Sequence, residues 1–224
     1  MSRLLGIDIS HWQNQIDWTL AAQHISFVFI KSSEASTVDP SFQTHWQNAC
    51  KTGLLHGAYH FYRPILTGKY QATVMAGLLA GQLGDLPNVL DLEDKGYAGG
   101  KAVANSARSF CETLAGLTNH PVMIYTSASF LFQLRMEGAD LRWMAVYPLW
   151  QAGYPWERRK DFVQNFPNYQ SQALDPKTRF PFEPYPYTAQ AAIWQWSGHG
   201  RVPGIAGDVD VNVIEEGILN SLKG

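Results

Sequence analysis

Charge is scarce in this chain. Only 16% of the 224 residues are Asp, Glu, Lys or Arg, and 17 basic against 19 acidic side chains leave a formal net charge of -2. That balance offers no general attraction to nucleic acid or to an anionic membrane surface, so both are excluded as expected partners. Cysteine is nearly absent, with two residues, and nothing in their spacing asks for a bridge. Cys50 and Cys111 fall in separate helical patterns and read as free, buried thiols. No stretch approaches the roughly 18 apolar residues that a membrane-spanning helix needs. The opening residues, Met1 to Ser10, run straight into a strand pattern and lack the long apolar core of a secretion signal, which implies synthesis in the cytoplasm without a signal peptide.

Apolar and aromatic residues are plentiful. Hydrophobic content of 46% and aromatic content of 13%, including eight Trp, describe a globular chain with a sizeable core, read as one domain over residues 1–224. Some of these rings belong to the core, and an excess of Trp and Tyr in a low-charge protein also suits stacking on sugars.

Along the chain, strand and helix patterns alternate. Strands are expected at Arg3 to Ile9, Phe27 to Lys31, Gly57 to Tyr62, Asn88 to Asp94 and Pro121 to Thr126. Helical patterns lie near Asp17 to Gln23, after Asp39-Pro40 (N-cap and first helical position, with Gly53 closing the helix), over Tyr70 to Gln82 and over Lys101 to Leu117. This spacing predicts βαβ units and a parallel sheet. Further strands are expected at Leu149 to Gln151, Ala192 to Trp196 and Asp208 to Val213, with a closing helix at Ile214 to Leu222. Tyr154 to Thr188, rich in Pro and aromatics, offers no clean helix. The fold class expected is α/β: a single-domain, TIM-like (β/α) barrel of eight strands with an incomplete set of helices.

The most informative stretch is Asn88-Val89-Leu90-Asp91-Leu92-Glu93-Asp94. Residues two apart on a strand share a face, so Asp91 and Glu93 lie on one side and Leu90 and Leu92 on the other. A sheet solvated on one side explains that pattern without function. In a barrel strand, it instead aims two neighbouring carboxylates at the end where such barrels place their chemistry.

Several blocks together carry a resemblance. Gly6-Ile7-Asp8-Ile9-Ser10-His11-Trp12-Gln13 with Ile16-Asp17-Trp18, then Phe27 to Glu34, Gly57-Ala58-Tyr59-His60-Phe61, Asp91-Leu92-Glu93, Trp194-Gln195-Trp196 and Asp208-Val209-Asp210-Val211-Asn212, resemble glycoside hydrolase family 25, the lysozymes of bacteria and their phages, in the same order. Ala35 departs from a frequent glycine. The resemblance implies an N-acetylmuramidase that cuts the β-1,4 bond between N-acetylmuramic acid and N-acetylglucosamine in peptidoglycan glycan strands, works without a cofactor or metal, acts as a monomer, and reaches the cell wall after holin-type or other non-classical release. It gives Glu93 the place of the general acid/base and Asp91 that of the paired carboxylate, with Asp8 and Asp210 lining the same pocket. Tyr59, Phe61, Tyr125, Trp150 and Trp194 are the expected sugar-binding rings, and Glu34 a weaker candidate at the groove mouth.

The residues themselves fit that chemistry. Glycoside hydrolysis needs a protonated carboxyl at the leaving oxygen and a second group for the charge at the sugar carbon. Strand spacing leaves retention and inversion both open; the acetamido-bearing substrate favours a substrate-assisted, retaining route. Metal readings fail on spacing. His56 and His60 are about 13 Å apart on a strand rather than stacked on a helix, and the Asp208, Asp210, Asn212 series lacks the later glycine and glutamate of a calcium loop. The alternative from another class is an inactive peptidoglycan-binding module on the same fold, for which a paired set of acids has no use.

Overall fold

A strand buried on both faces reads as a near-continuous apolar run. The first such run forms β1 (Arg3–Ile9), whose last five residues are all buried. It pairs in parallel with β2 (Phe27–Glu34), and the two-residue β3 (Thr37–Val38) folds back on the end of β2. Next come β4 (Leu55–Phe61), β5 (Asn88–Asp91), β6 (Val122–Ser127), β7 (Leu149–Ala152) and β8 (Ala191–Gly200), each parallel to its neighbour. The last strand, β9 (Val209–Glu215), runs antiparallel to both β8 and β1 and closes the ring. The computed structural model, which describes residues 2–180 and 191–223, is thus an eight-stranded mixed barrel with β3 outside the ring. The reversal of β9 has a simple cause: residues 201–208 are too few for a crossover, so the chain turns back as a hairpin.

Alternation sorts the side chains. Phe27, Phe29, Val89, Met123, Trp150, Ile193 and Ile214 fill the inside of the barrel. Val28, Ile30, Leu90, Leu92, Ile124 and Val213 face out toward the helices. Two glycines make the inner packing possible. A Cβ on Gly6 would lie 2.3 Å from the Phe27 ring, and one on Gly57 would lie 2.7 Å from the Phe29 ring. Each sits directly opposite that phenylalanine in register, so the two large rings can occupy the narrow interior.

Helices cover the outside: α1 (Trp18–Ala21), α2 (Phe42–Thr52), α3 (Gly68–Leu79), α4 (Gly100–Thr118), α5 (Ala128–Met136), α6 (Phe166–Leu174) and α7 (Glu216–Leu222), with a short 3-10 turn at Arg142–Val146. Gly53 ends α2 in the left-handed conformation, as expected. The N-cap of that helix is Ser41 rather than Asp39. The Asp39 carboxylate instead accepts the Ser41 N–H at 2.9 Å and the His11 Nδ1–H at 2.9 Å. Two helices were not anticipated. Ser127 caps α5 by accepting the Phe130 N–H, and α6 lies inside the Pro-rich segment, where Pro167 sits in the first turn and its missing N–H costs nothing. Residues 181–188 of that segment lie outside the described residues. Cys111 is buried, but Cys50 is exposed, with its Sγ 3.4 Å from His56 Nε2.

Candidate active site

The C-terminal ends of β1 and β5 carry Asp8 and Asp91 to the same end of the barrel. Because β9 is reversed, it is the start of that strand which arrives there, placing Asp210 directly across from Asp8. β5 ends at Asp91, but the Leu92 N–H still bonds the Tyr125 carbonyl at 2.9 Å. The extended path therefore carries Glu93 to the same side as Asp91. All four acids line one open cleft of about 210 Å³, together with Lys31, Tyr59, Phe61, Tyr125, Trp150 and Gln195.

A buried network fixes one acid firmly. Asp8 Oδ2 accepts hydrogen bonds from Gln195 Nε2 at 2.9 Å and Asn212 Nδ2 at 2.8 Å. Gln195 Oε1 accepts the Tyr125 hydroxyl at 2.7 Å and that of Tyr154 as well. Asn212 Oδ1 accepts the Trp150 Nε1–H at 2.8 Å. Asp8 is thus tied to side chains of β6, β7, β8 and β9 and of the loop after β7. Asp91 is held differently. It is 6% exposed, and its Oδ1 is buried without a hydrogen-bond partner. Buried carboxylate oxygens are ordinarily paired, so an orphan aimed into a cleft calls for a functional reason. Glu93 stands at the exposed rim.

The electrostatics follow from crowding. Burial raises the Asp91 pKa well above the usual carboxylate range, and the charges of Glu93, Asp8 and Asp210 push the same way while Lys31 opposes them. Glu93 is raised by desolvation and then by Asp8, with Arg63 opposing. Asp8 is raised by burial although Asn212 and Gln195 favour its charged form. Asp210 is pushed up to about 9 by burial and by Asp8. Crowding and burial thus make the cluster hold protons more tightly than separate carboxylates would, which favours a general acid among them.

Four of the five rings expected at the cleft line it: Tyr59, Phe61, Tyr125 and Trp150. Phe61 has two cations over its ring, Lys31 Nζ 5.0 Å and the Arg63 guanidinium 4.4 Å from its centre. Trp194 is a correction. The inward residues of β8 are Ile193 and Gln195, so Trp194 points out, fully buried against Trp156 and Phe180, and its Nε1–H goes to the Gly153 carbonyl. Glu34 bonds Lys31 at 2.6 Å and Arg63 at 2.8 Å. His60 is buried and hydrogen-bonded to Ser33 and Gln71, and burial lowers its pKa to about 4. Sequence reasoning missed Gln195, Asn212, Tyr154 and Lys31 as parts of the site. Gln195 and Asn212 stood inside quoted motifs, and alternation from Ile193 and Asp210 would have turned both inward.

The comparisons with known proteins agree with this geometry. YegX of Escherichia coli O6:H1 is 32% identical over 226 residues, covering 98% of this chain and 72% of its own length. Lysozyme M1 of Streptomyces globisporus is 31% identical over 225 residues, covering 94% and 67%. The crystal structure of the bacterial lysozyme from Streptomyces coelicolor superposes with a TM-score of 0.78 at 28% identity, over 98% of this chain and 96% of that one. Residues 7–205 match the glycosyl hydrolases family 25, and this chain, with its four acids at the open end of the barrel, belongs to that family.

Proposed function

We propose that this chain is a muramidase acting as one catalytic domain: it hydrolyses the β-1,4 bond between N-acetylmuramic acid and N-acetylglucosamine in peptidoglycan, with retention and with help from the substrate's own 2-acetamido group. The observation that carries this reading is the contrast between the two central acids. Asp91 is buried with one oxygen unpaired, while Glu93, on the same side, stands at the rim. Glu93 gives its proton to the glycosidic oxygen as the bond to the anomeric carbon breaks. The acetamido carbonyl oxygen attacks that carbon and closes a five-membered ring, and the positive charge spreads to the ring nitrogen. Asp91 in its ionised form accepts the N–H of that nitrogen. Burial and neighbouring charge raise its proton affinity, which suits it to an amide that becomes acidic as the ring forms. Water then opens the ring, and Glu93 takes its proton. Enzymes of this assisted kind are recognised exceptions to the two-carboxylate scheme.

Asp8, held by Gln195 and Asn212, contributes negative charge that keeps the Glu93 proton in place. Among the described residues, no helix is long and apolar enough to cross a membrane, which suits a domain that meets its polymer from the aqueous side. Mass spectrometry of digested peptidoglycan tests the bond. Muramic acid at the new reducing ends is the expected result, and glucosamine there overturns it. Proton NMR of the first anomer released is expected to show β product. Glycan stripped of its N-acetyl groups is expected to resist hydrolysis, and cleavage at an undiminished rate rules out the assisted route.

A further inference from the structure

Glu93 opens in two directions. One is the cleft already described. The other is a larger cavity of about 720 Å³ that shares Glu93 and Tyr125 with the cleft and passes Ser127 and Ala152 to reach Glu157 and Arg158. A third cavity, about 420 Å³, shares Glu157 and Arg158 in turn and is bounded by Lys160, Val163, Phe166 and Arg201. Through these shared walls the spaces succeed one another from the catalytic acid over the ends of β6 and β7 to the β8–β9 hairpin, and together they trace a groove.

The far end of the groove is unlike the cleft. Four cationic side chains, Arg158, Arg159, Lys160 and Arg201, line it against two carboxylates, Glu157 and Asp208. Arg201 bonds Asp208 at 2.7 Å and Arg159 approaches Asp161 at 3.7 Å. One oxygen of Glu157, Oε1, accepts the Ser197 hydroxyl at 2.7 Å and the Gly198 N–H at 2.6 Å and lies 3.2 Å from His199 Nδ1. Among the described residues, this leaves Arg158 and Lys160 without a carboxylate partner. Val163, 76% exposed, adds an apolar surface beside them. The segment is also held in place. Trp156 stacks on Tyr169 at 5.6 Å and packs against Trp194 and Trp196, and Glu157 ties the next residue to β8. Among the described residues, two exposed cations without a carboxylate partner thus stand on an anchored stretch of backbone, where they can meet an anion.

From this we infer that the groove beyond Glu93 binds the anionic peptide stem carried by a muramic acid residue of the bound glycan. The inference rests on the muramidase reading. A sugar chain needs hydrogen-bond partners and ring faces, and it gains little from a guanidinium and an ammonium set beside a valine. A stem peptide hangs from the same sugar ring that occupies the cleft. It bears free carboxylates for Arg158 and Lys160 and small aliphatic side chains for the exposed Val163. Anionic phosphate polymers attached to the wall share the charge but not the aliphatic groups, so the stem is the occupant favoured.

The test compares hydrolysis of peptidoglycan freed of phosphate polymers, with its stems intact, against the same glycan stripped of stems by an amidase. The wild-type protein is expected to cleave the stem-bearing glycan with a kcat/KM about tenfold higher, mostly through KM, given two partly exposed charge contacts. In Arg158→Glu/Lys160→Glu, that ratio is expected to fall toward one, and in Arg158→Lys/Lys160→Arg to be kept. An unchanged ratio in the charge-reversed protein, or a wild type that does not distinguish the two glycans, overturns the stem site. A defect seen only on walls that still carry phosphate polymers overturns it in favour of those polymers. If wild type cleaves neither glycan, the muramidase reading itself fails and takes this inference with it.

Discussion

The two halves of the barrel support the same cleft by different means. From β1 to β6 the strands are backed by helices, and this half supplies the acids proposed for the central roles, Asp91 and Glu93, along with Asp8. From β7 to β9 the outer face is covered largely by aromatic plates. Trp196 lies against Phe166 at 5.2 Å and Trp156 at 5.9 Å, and Phe162 stacks on Tyr169 at 5.8 Å. This half supplies the amides that hold Asp8, from Gln195 and Asn212. If the proposed roles hold, one half bears the reaction and the other chiefly the scaffold, so stability and activity should be separable by choosing the half to disturb.

The largest effect should come from breaking the chemistry alone. Glu93→Gln is expected to cut turnover on purified walls by about 10³-fold or more, in line with loss of a general acid, while the melting temperature stays near wild type. Asp91→Asn should be nearly as severe. Wild-type turnover in the Glu93 variant would remove it from the acid role. The converse experiment is Trp196→Ala, which empties a fully buried site in the aromatic layer. It is expected to cost about 3–5 kcal/mol in denaturant unfolding, while the folded fraction keeps its turnover. A smaller loss would mean that the plates are less tightly packed than the helices opposite.

Asp210 sits where the halves meet, and its effect depends on pH. Its folded pKa, about 9, lies above the ordinary carboxylate value. The folded state therefore binds more protons across that interval, and the stability linked to this group is full at low pH and lost as pH rises toward the folded value. Asp210→Asn should match wild type near about pH 4 and melt progressively higher than wild type as pH approaches about 9, which a thermal series would show. The smallest change belongs to the helical half. Ala35 holds φ at 51°, a left-handed conformation that suits glycine. Ala35→Gly is expected to stabilise by at most about 0.5–1 kcal/mol, since relief of strain is partly offset by a more flexible unfolded chain.

The same division explains what could be read from the sequence. Strand β1 was legible to the residue, and α2, α3 and α4 nearly so, because burial there follows simple periods of two and of 3.6 residues. The strand bearing Asp91 stood out because its neighbours at odd and even positions differ so plainly. Helix α6 was hidden by Pro167 and by rings that suit a helix less than they suit stacking. Trp194 was misplaced because its motif suggested a sugar site, whereas the direction of its side chain is set by strand alternation, with Gln195 taking the inward position. The roles of Gln195 and Asn212 depend on contacts with Asp8 across 187 and 204 residues of chain, which no local pattern encodes.

The reversal of β9 reaches beyond the catalytic end. By lying beside β1 it returns the polypeptide to where it started, and the Glu216 N–H bonds the Ser2 carbonyl at 3.0 Å, at the pole of the barrel opposite the acids. Segments fused at either extremity would leave from that pole, clear of the polymer being cut. A short linker between the extremities should therefore permit circular permutants with new ends in exposed loops far from the groove.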